Sequence, residues 1–113
     1  MTITEQTQGR VIVVSLKGNL LGEPERKEVR EAIYRLTERV EKQIVLDLGG
    51  LKATNSSGLG TLVAALTSIR RRGGDMCLAR LSEKVHALMM ITNLIRVFKV
   101  YETVERAVTS FRR

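Results

Sequence analysis

Runs of β-branched and aliphatic residues alternate with segments whose apolar residues recur at helical spacing, and this alternation constrains the fold of the 113-residue chain most. Val11-Ile12-Val13-Val14 with Leu16 follows Gly9-Arg10, and a weaker extended segment lies at residues 3–7, so a hairpin is predicted to open the domain. Pro24 stands where a first-turn proline belongs, and Val29, Ala32, Ile33, Leu36 and Val40 follow it at helical spacing. Residues 44–48 read as a buried strand and residues 57–72 as a helix with Leu59, Leu62, Val63, Leu66 and Ile69 inward. Gly73-Gly74 can end that helix with a left-handed cap. A strand at residues 76–80 follows, then a helix N-capped by Ser82 with Val85, Leu88 and Met89 as its stripe. A short strand at residues 97–100 and a helix at residues 102–111 close the chain, with Val104, Ala107, Val108 and Phe111 on one side. The expected architecture is an α/β sandwich with a mixed sheet of about four to five strands and about four helices. Its strands should be parallel where a helix crosses between neighbours and antiparallel at the hairpin.

The length corresponds to a single domain, residues 1–113, able to bury a core without disulfides or metal. A hydrophobic content of 43% and a mean hydropathy of -0.04 predict a soluble globular protein. No apolar run approaches the roughly 20 residues that span a bilayer, and the start, Met1-Thr2-Ile3-Thr4-Glu5, has no signal-peptide character. A cytoplasmic protein without membrane insertion is expected. The lone Cys77 lies in an apolar run and reads as a small core residue, while His86, between Val85 and Leu88, reads as a surface side chain. Neither supports a metal site, and no cofactor is expected.

The net charge of +7 and pI near 10.2 raise nucleic acid, anionic membrane or an acidic protein as partners. Acids and bases alternate over residues 23–42, as on a solvated helix face, and only Arg70-Arg71-Arg72 and Arg112-Arg113 are unmixed. Basic residues near helix C-termini complement the dipole. Aromatics make up only 4% of the chain, so direct nucleic-acid binding is not expected.

The functional information concentrates in residues 43–66, where Asn55-Ser56-Ser57-Gly58 sits between strand and helix. Unpaired N–H groups gather there and carry partial positive charge. A nucleophilic serine would need a base in reach, yet His86 is the sole imidazole and the Gly-x-Ser-x-Gly elbow is missing. A phosphate-binding loop would end in Gly-Lys-Ser/Thr, which is absent. Two readings remain for Ser56 and Ser57: helix caps, worth about 1 kcal/mol, or acceptors of phosphate from another protein. Asp47 is expected to hydrogen-bond to the loop that follows it, and Met89-Met90 with Leu88 and Ile91 to pack in the core rather than form a docking patch.

The string Ile44-Val45-Leu46-Asp47-Leu48, followed by Thr54-Asn55-Ser56-Ser57-Gly58-Leu59-Gly60 and Leu62, resembles the signature of the STAS domain, specifically bacterial anti-sigma factor antagonists. The likeness extends to Leu16-Lys17-Gly18, to Arg71-Arg72-Gly73-Gly74 and to the Leu-Ile-x-x-Phe segment at residues 94–98, over nearly the whole chain. It implies a STAS-type fold and a non-enzymatic partner switch. In that family the unmodified antagonist binds an anti-sigma factor that is also a serine kinase, which frees the sigma factor. Phosphorylation of the first serine of the pair reverses this, and a serine phosphatase restores binding. That serine corresponds to Ser56, with Ser57 as the alternative acceptor, and the resemblance implies that Thr54, Asn55, Ser56, Ser57, Gly58, Leu59 and Gly60 face the partner. Gly58 and Gly60 would keep side chains out of its approach. Asn55 and Leu21 replace carboxylates usual in the family, which removes negative charge from that surface. The alternative on the same fold is a STAS accessory subunit or module of a lipid-transport type ATPase. RNA binding through the basic face is a third reading, in a separate class.

Overall fold

A computed structural model describes residues 1–112; the terminal Arg113 of the basic Arg112-Arg113 pair lies outside the described residues. The order is β1 (Thr2–Gln8), β2 (Val11–Leu20), α1 (Glu23–Leu36), β3 (Gln43–Thr54), α2 (Ser56–Arg71), β4 (Asp75–Ala79), α3 (Glu83–Ile91), a 3-10 turn (Leu94–Arg96), β5 (Val100–Tyr101) and α4 (Val104–Ser110). One mixed sheet of 5 strands in the order β1-β2-β3-β4-β5 organises them. β1 and β2 form the expected antiparallel hairpin, and β2, β3, β4 and β5 run parallel.

The alternation of the strands builds two cores on this sheet. Ile12, Val14 and Leu16 of β2, with Ile44, Leu46 and Leu48 of β3, face α1, α2 and α3. Val11, Val13, Val45, Cys77 and Ala79 point the other way and are covered by Ala107 and Val108 of α4. Strands buried on both faces read as unbroken apolar runs, which is why the sequence shows β2 and β3 so plainly.

Three boundaries differ from the sequence expectation. Val40 is 93% exposed and outside α1: the helix ends at Leu36, where the Thr37 hydroxyl donates to the Tyr34 carbonyl at 2.6 Å. β3 does not stop at Leu48 but runs to Thr54, because it stays paired with β2 from Val11↔Gln43 to Leu20↔Thr54 through two register shifts. The last strand is only Val100–Tyr101, since Leu94–Arg96 takes a 3-10 turn. The Gly73-Gly74 stop forms as expected. Gly73 has φ 86, its N–H bonds the Arg70 carbonyl at 3.1 Å, and the Gly74 N–H bonds the Ile69 carbonyl at 3.0 Å, the paired bonds of a Schellman cap. Among the described residues no helix is long and apolar enough to cross a membrane.

Candidate functional site

The extended β3 leaves Asn55 as the single residue between strand and helix. Thr54 anchors the strand end by donating its hydroxyl to the Leu20 carbonyl at 2.8 Å. Asn55 then adopts an extended conformation and caps α2: its Oδ1 accepts from the Gly58 N–H at 2.8 Å, while its Nδ2 donates to the Leu21 carbonyl at 3.2 Å. One side chain thus satisfies an orphan donor of the helix and ties the end of β3 to the β2–α1 connection. The capping reading, one of the two left open for Ser56 and Ser57, is therefore corrected. The cap is Asn55, and the serines are the first two residues of the helix.

Freed from capping, both serines are exposed, and neither hydroxyl has a hydrogen-bond partner among the described residues. The remaining loop residues divide sharply. Gly60 is exposed, with open space where a Cβ would stand. Thr54 is half-buried and committed to Leu20. Leu59 is 0% exposed in the core, so its side chain holds the helix start in place and offers no surface. Gly58 is buried, and a Cβ there would run into the Thr54 hydroxyl and the Leu20 carbonyl. Its missing side chain permits internal packing, whereas Gly60 leaves open space outside. The surface that a partner can touch is Asn55, Ser56, Ser57 and Gly60, with Leu21, 40% exposed, beside them.

The first turn of α2 holds no acidic residue, and Arg70 and Arg71 lie in its last turn. Asp47 is elsewhere: mid-strand, 9% exposed, its Oδ1 accepting from the Gly49 N–H at 2.9 Å and its Oδ2 facing the Arg80 guanidinium at 3.4 Å. It bonds to the following backbone as expected, although that backbone is still strand. His86 is exposed on α3, in a groove with Arg80 and Tyr101, and makes no hydrogen bond to either serine hydroxyl. The methionine pair splits. Met89 is 0% exposed and Leu88 is partly buried against the same core, while Met90 at 55% and Ile91 at 82% face outward, so core packing holds for Leu88 and Met89 and fails for the other two. Cys77 is buried, and burial, with the nearby Asp75 carboxylate second, pushes its thiol up to about 12.

The STAS domain pattern matches residues 2–107. An anti-sigma F factor antagonist of Paenibacillus polymyxa is 31% identical over 102 residues, 88% of this chain and 85% of that protein. Among solved structures, an anti-sigma factor antagonist from Mycobacterium paratuberculosis superposes with a TM-score of 0.86 at 22% identity, covering 99% of this chain and 94% of the other. SpoIIAA, the Bacillus cell fate determinant, is similar in fold in its unphosphorylated form, with a TM-score of 0.80 at 18% identity over 98% of this chain and 96% of that one. Its phosphorylated form gives a TM-score of 0.73 at 18% identity, over 97% and 99%.

Proposed function

The chain belongs to the STAS-domain family, and from that premise we propose that it is a non-enzymatic anti-sigma factor antagonist whose binding is switched by phosphorylation of Ser56. In this reading its partner is an anti-sigma factor with serine kinase activity, a serine phosphatase resets the switch, and the single domain works in the cytoplasm. The observation that carries the reading is the free, exposed hydroxyl of Ser56 at the first position of α2, left available because Asn55 does the capping. Support also comes from an antagonist 31% identical to this chain and from a protein of the same fold known in phosphorylated and unphosphorylated forms.

The chemistry of the site suits a reversible dianion. A phosphoserine carries about −1.5 to −2 charges, and the positive end of α2, with no acidic residue in its first turn, accommodates it within the chain. The Asn55 and Leu21 positions, which lack carboxylates, add no repulsion. A docked partner, in contrast, meets both the bulk and the charge. A loss of about 3 kcal/mol at the interface weakens binding by about two orders of magnitude, enough for a switch. Ser57, equally exposed, is the alternative acceptor.

The test is to purify the chain with its bound partner from native cells, incubate the pair with ATP and locate phosphate by mass spectrometry. Phosphate on Ser56, lost in Ser56→Ala together with ATP-driven release of the partner, is the expected result. Phosphate on Ser57 in that variant would overturn only the site assignment. Recovery of a transport ATPase with no modified serine would replace the sigma-pathway reading with the transporter-module alternative.

A further inference from the structure

The flank of α2 that carries Ser57 continues into a groove between α1 and α2. Ile33, Tyr34, Ala64 and Ala65 line it, with Arg35 and Ser68 at its edge, around a volume of about 460 Å³. Ser57, Ala64 and Ser68 are spaced seven and then four residues apart, which sets them in one row on the helix surface. At 1.5 Å per residue the groove begins about 10 Å along the helix from Ser57, within the span of one docked segment. Tyr34 is 61% exposed. Its ring can supply apolar area and its hydroxyl a polar tip, the kind of side chain that anchors interfaces.

The charges at the rim say what kind of group fits beside it. Arg30 is held by Glu23, and Glu31 faces Lys27 at 3.9 Å. Arg35 makes no ion pair among the described residues, so the uncommitted charge at the rim is positive. A second copy of the chain would bring the same basic rim and a net charge of +7, which opposes self-association at this face.

We propose that the α1–α2 groove extends the docking surface for the anti-sigma factor, which fills it with an apolar side chain against Tyr34 and pairs a neighbouring carboxylate with Arg35. The inference rests on the antagonist reading above and adds the contact that orients the partner along α2. Because this contact is remote from the phosphoacceptor, it survives phosphorylation as a residual attachment. It therefore raises affinity in both states and leaves the fold-change caused by phosphorylation to the Ser56 end of the interface.

The experiment uses the anti-sigma kinase recovered in the co-purification above, expressed and purified, with the full chain and its variants in a calorimetric titration. Tyr34→Ala and Arg35→Glu are each expected to weaken binding at least about tenfold, with circular dichroism unchanged; because Arg35 lies in the last turn of α1, its reversal also lowers the melting temperature slightly, and Arg35→Gln, which removes the charge without reversing it, should weaken binding in the same direction. The Arg35→Glu loss should shrink at high salt, whereas the Tyr34→Ala loss should persist. Wild-type affinity in both variants, alongside a loss in Ser56→Asp, would overturn the groove contact and leave the antagonist reading standing. No binding by the wild type would remove both. A wild-type dimer in light scattering that Tyr34→Ala dissociates would assign the groove to a second copy and also overturn the proposal.

Discussion

Replacing Asn55 tests the architecture of the site most directly, because one side chain performs two jobs there. In Asn55→Ala the Gly58 N–H loses its acceptor at 2.8 Å, a cap worth about 1 kcal/mol. The Leu21 carbonyl loses a donor at 3.2 Å; that bond is open to water and contributes about 0.5 kcal/mol. The expected destabilisation is therefore about 1.5 kcal/mol, read as a drop of about 1 M in the urea midpoint at unchanged m-value. Asn55→Asp separates the two effects. Its carboxylate caps as well as an amide and gains about 0.3 to 1 kcal/mol from the helix dipole, while the donor to Leu21 is lost. The gain and the loss nearly cancel, so this variant should unfold within about 0.5 kcal/mol of wild type at pH 7. Equilibrium urea unfolding followed by far-UV circular dichroism gives all three values. A loss below about 0.3 kcal/mol in Asn55→Ala, or equal losses in the Ala and Asp variants, would refute the assignment of Asn55 as the cap of α2.

Other consequences follow from burial. Cys77 should resist iodoacetamide in the native protein at pH 8 and react fully in urea, as followed by mass spectrometry. Its raised thiol pKa also sets a sign: above about pH 8.5 the unfolded thiol ionises while the native one, at about 12, does not. Stability should accordingly fall as pH rises through that window, and Cys77→Ser should flatten this part of the profile. Met89→Ala, at a fully buried position, should cost about 2 to 5 kcal/mol in urea unfolding. Met90→Ala, half exposed on the same helix, should change stability by less than about 0.5 kcal/mol. Equal effects would contradict the separation of the two methionines.

Local patterns located most elements because burial imprints them on neighbouring residues. The two-sided strands, the Pro24 helix start, the Ser82 cap and the Gly73-Gly74 stop all sit where residue spacing places them. The extension of β3 past Gly49-Gly50 was not legible, because its stability comes from pairing with Lys17, Gly18, Asn19 and Leu20 of another strand. Once the strand reached Thr54, the cap moved from the serines to Asn55. A favoured capping residue three positions ahead of Gly58 was the available signal. Val40 misled for a complementary reason, since its helical spacing continued past the point where Thr37 closes α1.

The alternation of strand and helix, the two faces of the central strands and the presence of a serine pair at a helix start belong to the sequence alone, because each depends on residues adjacent along the chain. What the serines are free to do was decided in three dimensions. Whether a hydroxyl caps a helix or faces solvent depends on where the preceding strand ends, and that end is set by hydrogen bonds to a strand more than thirty residues away in the chain. The groove beside Tyr34 has the same origin, since it exists only where α1 and α2 lie side by side on the sheet.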